Sequence, residues 1–138
     1  AMIRAASDAG MQTGTFLMLG YPGETESDIV ATERYLRAAR PDLFTVTLAY
    51  PIAGTLFHDQ VADQATAPPF DQGSDRDRRF PRTYSDAYYR HAVRLLTHTH
   101  AMATAPRPVS ARALAHRAAW YLSRLGMWWH RRHRMQSA

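Results

Sequence analysis

The sequence predicts an α/β fold: one strand–helix–strand unit, followed by a helical and basic C-terminal region. Two short apolar segments, 11–19 and 43–50, flank a stretch long enough for a crossover helix. Strands joined in this way are parallel, so we expect a right-handed βαβ unit. From residue 87 onward the sequence contains nine arginines, six histidines and no carboxylate, so the net charge of +5 is a property of the C-terminal region.

The chain opens with a predicted helix over residues 1–9. Gly10 follows it, and glycine at this position accepts the left-handed conformation that often ends a helix. The helix has no capping residue, so we expect the chain to begin within an element. The first strand runs from Met11 to Leu19, and Gly20 to Gly23 form a turn, because proline fixes φ and glycine permits positive φ.

The crossover helix is predicted between Thr25 and Pro41. Its first residues, 25–28, resemble a capping box with Asp in place of Glu. One helical face comprises Ile29, Glu33, Leu36 and Ala39. The second strand, 43–50, alternates between a face with Phe44, Val46, Leu48 and Tyr50 and a face with Thr45, Thr47 and Ala49.

The rest of the chain is predicted to be helical apart from one long loop. A short helix over 56–61 precedes a polar loop or linker at 62–83. Ser85 caps a helix that runs to about His100 and whose apolar side is Tyr88, Ala92, Leu95 and Leu96. Ser110 caps a last helix that bears Leu114, Ala118, Tyr121, Leu122 and Leu125. We expect His91, His98 and His100 to be surface residues, because their spacing is not that of a zinc pair.

A single βαβ unit cannot bury both faces of its sheet. Two parallel strands also leave their edges unpaired. No convincing third strand follows in the sequence. We therefore expect a further body of structure on the N-terminal side.

Composition excludes several kinds of site. The chain has no cysteine, which excludes disulfides, a Cys-ligated zinc and a Cys-ligated iron–sulfur cluster within it. No run of about 18 apolar residues could span a membrane, and residues 1–10 do not resemble a signal peptide, so we expect a cytoplasmic protein. All 17 basic residues are arginine, which indicates a G+C-rich genome in the first place, although arginine also binds phosphate and carboxylate well.

The two turns after the strands are the strongest candidates for a binding site. Residues 19–25 and 49–55 each combine glycine and proline at the carboxyl end of a predicted parallel strand. Ligands of α/β proteins bind at that end of the sheet. Ordinary turn chemistry explains each segment alone. Glu24 is expected to act as a charge at the helix N-terminus, with loop orientation as the alternative.

Together these segments resemble the later barrel strands of radical S-adenosylmethionine (SAM) enzymes. The shared pattern is Phe16 to Thr25, then Pro41-Asp42, then Phe44 to Thr55, in matching order and spacing. The resemblance covers residues 1–61 and is greatest to the group with an N-terminal cobalamin-binding domain. Residues 80–84, Phe-Pro-Arg-Thr-Tyr, and the helix after them also resemble that group.

The resemblance implies a partial radical-SAM-type barrel over 1–61, a linker over 62–83 and a helical basic region over 84–138. It implies reductive cleavage of SAM by a [4Fe–4S] cluster, with methyl transfer to, or rearrangement of, an unreactive carbon, and a possible use of cobalamin. The cluster-binding Cys-x3-Cys-x2-Cys motif is absent here. This chain would supply the adenine side of the SAM site and one wall of the substrate cavity.

The site residues implied by the resemblance are Met18, Gly20, Tyr21, Pro22, Leu48 and Tyr50. Met18 would touch adenine, and backbone groups around Leu48 to Tyr50 would contact or cover it. No residue of this chain is expected to be catalytic or to bind a metal. Phe16 stands where the family commonly has glycine, Gly23 where it has an acid, and Ala53 where it has proline.

The expected partners are the missing N-terminal half of the barrel and a small-molecule substrate, rather than nucleic acid or a membrane. The chain alone would be inactive. The alternative is a non-enzymatic helical module whose arginine-rich tail binds nucleic acid or anionic membrane. That alternative fits the charge of residues 87–138 and leaves both glycine–proline turns unexplained.

Overall fold

Helix α1 (Met2–Asp8) ends in the way the sequence predicts. Gly10 has a φ of 80°, its N–H donates to the Ser7 carbonyl, and the Met11 N–H donates to the Ala6 carbonyl. This pair of hydrogen bonds is a Schellman motif. The computed structural model describes residues 2–64, 80–105 and 110–133. Helix α1 buries none of its residues.

The βαβ unit is confirmed. Strand β1 (Gly14–Leu19), helix α2 (Glu26–Ala39) and strand β2 (Leu43–Leu48) follow in order, and the two strands are parallel, with Gly14 opposite Leu43. In the described part of the chain these strands form a two-stranded sheet. Beside the sheet, the Asp42 carboxylate accepts hydrogen bonds from the Thr13 N–H and hydroxyl at 2.7 and 3.0 Å.

Both predicted ends of α2 are found. The carboxylate of Asp28 accepts from the hydroxyl of Thr25 at 2.7 Å and from its backbone N–H at 2.8 Å, and these two hydrogen bonds lower the pKa of Asp28. The bond from the backbone N–H belongs to the predicted capping box. The helix ends before Pro41. Arg40 closes it in the left-handed conformation, with φ 48°, where glycine is more usual.

The remaining helices are α3 (Leu56–Val61), which continues into a 3₁₀ turn (Ala62–Gln64), α4 (Asp86–Thr104) and α5 (Ala111–His133). Ser85 and Ser110 cap α4 and α5 as predicted. The predicted linker at 62–83 is therefore helical at its start, and Phe80 at its other end is buried. The part of that prediction that falls on 65–79, and the tail beyond 133, lie outside the described residues.

The core lies on one side of the sheet. Apolar residues at alternate positions of each strand pack against α2, α4 and the inner face of α5. The core includes Leu17, Leu19, Phe44, Val46, Leu48, Ile29, Leu36, Tyr88, Tyr89, Ala92, Leu95, Leu96 and Met127. The predicted inner faces of α2 and α4 are confirmed. The layers are therefore the sheet, then α2 and α4, then α5.

The opposite face of the sheet is open. Phe16 is 90% exposed, Met18 53% and Leu43 61%, and Thr45 and Thr47 on the same face are also exposed. Side chains of successive strand residues point to opposite faces, so burial of Leu17 and exposure of Phe16 and Met18 follow from one register. The sheet has an apolar surface that the described residues do not cover.

Helix α5 packs with a face that its apolar composition did not indicate. Ala113, Ser123 and Met127 are buried against the inner helices, while Leu122 and Leu125 are exposed. The helix comes very close to α4, because a Cβ at Gly126 would overlap the ring of His91. Small side chains on the inner face permit this approach.

A buried carboxylate links α2, α4 and α5. Glu33 of α2 is 5% exposed and accepts hydrogen bonds from Trp120 Nε1 at 2.9 Å, Arg37 at 2.8 Å and the Thr99 hydroxyl at 3.3 Å. Arg124 lies 3.6 Å from its second oxygen. A buried charge requires such partners; Arg37 and Thr99 come from α2 and α4, and α5 adds Trp120 and Arg124 because its Trp120 side faces inward.

The three histidines of α4, which the sequence predicts at the surface, are partly buried, and each contacts a residue outside α4. The rings of His91 and His130 stack at 5.5 Å, and His98 Nδ1 lies 3.0 Å from His116 Nδ1. His100 Nε2 donates to the Pro41 carbonyl at 2.7 Å. Two histidine pairs thus lie in the α4–α5 interface, because α5 covers α4 along most of its length.

Candidate functional site at the strand ends

The turn after β1 has a backbone shape that requires glycine. Gly20 is buried with a φ of 80°, and an added Cβ would lie 2.9 Å from Arg82 Cδ and 3.5 Å from Tyr89 Cζ. Its N–H donates to Glu24 Oε2 at 2.8 Å. The strand end is therefore fixed by one short carboxylate contact and by side chains packed directly against it.

Glu24 orients the turn, which is the alternative to a helix-terminal charge that the sequence left open. Its carboxylate closes the loop between Gly20 and α2. Burial raises the pKa of Glu24, and the hydrogen bond from the Gly20 N–H opposes this by stabilising the charged form. The hydroxyl of Tyr89 faces the same carboxylate without reaching hydrogen-bond geometry.

Arg82 ties the two strand ends together. Its Nη2 donates to the Ala49 carbonyl, just beyond β2, at 3.1 Å, while its aliphatic part packs against Gly20. Its Nη1 reaches Asp86 at 3.2 Å, and its guanidinium lies 5.1 Å from the ring centre of Phe80. Sequence reasoning assigned no role to Arg82; its only signal was its place in the segment 80–84.

The predicted residues divide between the two faces of the sheet. Met18 lies on the open face, opposite Thr47 in the strand register. Leu48 is half-buried and its side chain packs on the helix side, so only its backbone is available to a ligand at the strand end. Gly20 and Ala49 are brought together, since the Ala49 N–H donates to the Leu19 carbonyl at 2.7 Å.

The other predicted residues turn toward α3. Tyr21 packs its ring 4.8 Å from that of Phe57, and its hydroxyl reaches Gln60 at 3.4 Å. Pro22 is exposed, and Tyr50 is half-buried. The turn after β1 thus packs on α3. The ring of Phe57 in α3 also packs edge-on against that of Phe80, with the ring centres 5.1 Å apart.

Two buried tyrosines lie beneath the strand ends. Tyr88 and Tyr89 are fully buried, and neither hydroxyl has a hydrogen-bond partner among the described residues. Burial raises the pKa of both above its usual range, with a smaller contribution from the charge of Glu26 for Tyr88 and of Glu24 for Tyr89. Both tyrosines therefore stay neutral at physiological pH.

The ionisable side chains near the strand ends are few and scattered among the described residues. Across residues 2–64, 80–105 and 110–133 no three His, Asp or Glu side chains are grouped to hold a metal ion. On α3, His58 Nδ1 lies 3.3 Å from Asp59 Oδ1, and Asp59 is exposed while His58 is partly buried. What the strand ends offer is an apolar shelf around Met18 and backbone polar groups held in fixed positions by Arg82 and Glu24.

No protein-family model matches the sequence, and no curated protein is significantly similar to it. None of the described helices is both long and apolar enough to cross a bilayer.

Proposed function

We propose that this chain forms the C-terminal part of a radical SAM enzyme barrel, where its strand ends provide the adenine side of the SAM site. The observation that supports this most is the one-sided sheet. Helices cover one face, while Phe16 and Met18 on the other face are exposed. In an α/β barrel the helices lie outside and the opposite face of each strand lines the interior.

The strand-end turns lie where such a barrel binds its ligand. Met18 is the last open-face residue of β1, and the turn at Gly20 begins directly after the strand ends. An exposed thioether suits the face of a purine ring, which needs an apolar contact. In this role Arg82 and Glu24 are positioning residues, because each holds a backbone group of a strand-end turn.

The cofactors of the family divide into those this chain fits and those it does not. The chain contains no cysteine, so a [4Fe–4S] cluster would be held by another part of the protein. In this family SAM, when bound beside a reduced cluster, supplies the group that attacks an unreactive C–H bond. Cobalamin, methyl transfer and rearrangement enter the proposal through the sequence resemblance alone.

The coding sequence upstream of Ala1 provides the first test. The proposal expects an in-frame Cys-x3-Cys-x2-Cys stretch before this segment. A stop codon and a genuine start site directly before it would overturn the enzyme proposal and favour the helical binding module.

The second test is SAM binding by the protein that carries the cysteine motif. Met18→Glu should weaken binding by about tenfold or more, because it places a carboxylate on the apolar shelf. Leu43→Glu is the matched control: Leu43 lies on the same face and is similarly exposed, but at the other end of the strands. Equal loss in both variants, or no loss in either, removes Met18 from the site.

A further inference from the structure

Helix α5 presents a continuous apolar face to solvent. Its large members are Leu114, Tyr121, Leu122, Leu125, Trp128 and Trp129, each between 42% and 66% exposed. At 100° per residue these positions fall within one arc of the helix, opposite the face that holds Ala113, Trp120, Ser123 and Met127. The face lies on the outside of the outermost layer, away from the open face of the sheet.

Arginines line one border of this face. Arg117, Arg124 and Arg131 recur every seven residues and therefore lie in one row along the helix. All three are exposed, although Arg124 also approaches Glu33, and Arg131 pairs with Glu26. The sequence continues with Arg132 and Arg134, and no carboxylate follows residue 86.

A groove runs between this border and α2. It has a volume of about 560 Å³ and is lined by Glu26, Trp120, Tyr121, Arg124, Leu125 and Trp128. Its walls are mostly apolar with an arginine at the side, and Arg131 offsets the charge of Glu26. Such a groove suits a group that is apolar at one end and anionic at the other.

We propose that the outer face of α5 lies flat on an anionic lipid surface. A helix with Leu and Trp on one face, arginines beside them and too little hydropathy to span a bilayer is the pattern of an interfacial helix. The leucines and tryptophans enter the headgroup–acyl boundary, and the arginine row meets lipid phosphates. This departs from the sequence-based expectation of no membrane partner, because that expectation placed the apolar residues of α5 against protein.

Other occupants fit this face less well. A second copy paired across a twofold axis would bring the two arginine rows together, with no carboxylate on either helix to offset them. Nucleic acid would neutralise the arginines but would leave Leu122 and Leu125 in water. A lipid surface satisfies the apolar arc and the charged border at once.

The test is binding of the 138-residue chain to vesicles, followed by co-sedimentation and by tryptophan emission, to which Trp128 and Trp129 contribute together with Trp120. Phosphatidylcholine vesicles with about 30% phosphatidylserine should bind the chain and shift tryptophan emission to the blue. Vesicles of phosphatidylcholine alone should bind it more weakly. Raising the salt from about 0.1 M to about 0.5 M should release much of the bound protein, because exposed charges are then screened.

Two variants with matched controls assign the effect to this face. Leu125→Glu should weaken binding to anionic vesicles about tenfold or more, while Leu43→Glu, equally exposed at 61% but on the open sheet, should leave it unchanged. Arg117→Gln should weaken binding to anionic vesicles only, and Arg34→Gln on the exposed side of α2 should not. Circular dichroism establishes that each variant is folded.

Three outcomes overturn the proposal. The first is no binding to anionic vesicles, and the second is equal loss in Leu125→Glu and Leu43→Glu. The third is evidence for another partner on this face. Such evidence would be a dimer that Leu125→Glu dissociates, or a single-stranded RNA that the chain binds in preference to vesicles. None of these depends on SAM binding, so this proposal and the proposed function fail separately.

Discussion

In the βαβ unit the apolar residues are buried at the positions that strand alternation predicts, whereas in α5 the largest apolar residues are outside. Leu17 and Leu19 pack inward, and Phe16 and Met18 between them face out. In α5 the buried positions include Ser123 and Ala113, while Leu122 and Leu125 are exposed. The alternation of the strands therefore accounts for the pattern of burial in the first region, whereas apolar content does not account for the pattern in α5.

The orientation of α5 depends on a buried polar group. Glu33 is buried in α2 and needs donors, which the Trp120 side of α5 supplies together with Arg124. Gly126 permits close approach on the same side. The contacts of Trp120 and Arg124 with this buried carboxylate therefore favour the observed orientation of the helix.

The largest effect is expected from removal of this carboxylate. Glu33→Ala should lower the free energy of unfolding by about 2 kcal/mol or more, because Trp120 and Thr99 lose their acceptor and Arg37 and Arg124 lose their countercharge. Urea unfolding followed by tryptophan emission measures the loss.

Two controls sharpen this comparison. Glu33→Gln should lower the free energy of unfolding less than Glu33→Ala, since an amide oxygen still accepts a hydrogen bond from Trp120. Asp28→Ala, which removes an exposed cap in the βαβ unit, should also cost less than Glu33→Ala. If Asp28→Ala lowered the free energy of unfolding as much as Glu33→Ala, the buried carboxylate would contribute no more to stability than the exposed cap.

A smaller effect is expected where α5 meets α4. Gly126→Ala gains about 1 kcal/mol of helix propensity but displaces the His91 ring from its stack on His130. In the His91→Ala background the clash is absent, so Gly126→Ala should stabilise there and not in the parent chain. A double-mutant cycle by urea unfolding measures the coupling, and additive effects would show that the ring moves freely.

The smallest effect on stability is expected from a change of pH. Burial, and then the charge of the partner histidine, lowers the pKa of His91 and of His98; Arg94 also lowers both, and Arg90 that of His91. Since the unfolded value is about 6.5, the unfolded chain binds more protons below that pH. Stability should therefore hold above about pH 6.5 and fall as the pH drops through the folded pKa values.

The pH effect can be assigned by substitution. Replacing His91 and His98 together by Asn should flatten the dependence of the thermal midpoint on pH between about 5 and 7. His58→Asn on α3, outside the interface, should leave the dependence as it is in the parent chain. An unaltered slope in the double variant would show that other groups cause the pH dependence.

Local chemistry was sufficient to predict the elements from the sequence. Gly10, Thr25, Ser85 and Ser110 each end or begin a helix through hydrogen bonds to neighbouring residues, and neighbouring residues are visible in a sequence. The parallel pairing followed from the length of the connection between the strands. The candidate site was found only in part, because Gly20 shows its turn locally and Arg82 reaches it from 62 positions away.

By itself the sequence determined the order of the elements, the caps, the alternation of the strands and the concentration of positive charge after residue 86. Only the tertiary structure decided that Arg82 joins the two strand ends, that Glu33 orients α5, and that α4 and α5 share two histidine pairs. The physical reason is range. Turns and caps are settled by hydrogen bonds within a few residues, whereas the inner face of a helix depends on which buried polar groups elsewhere still need a partner.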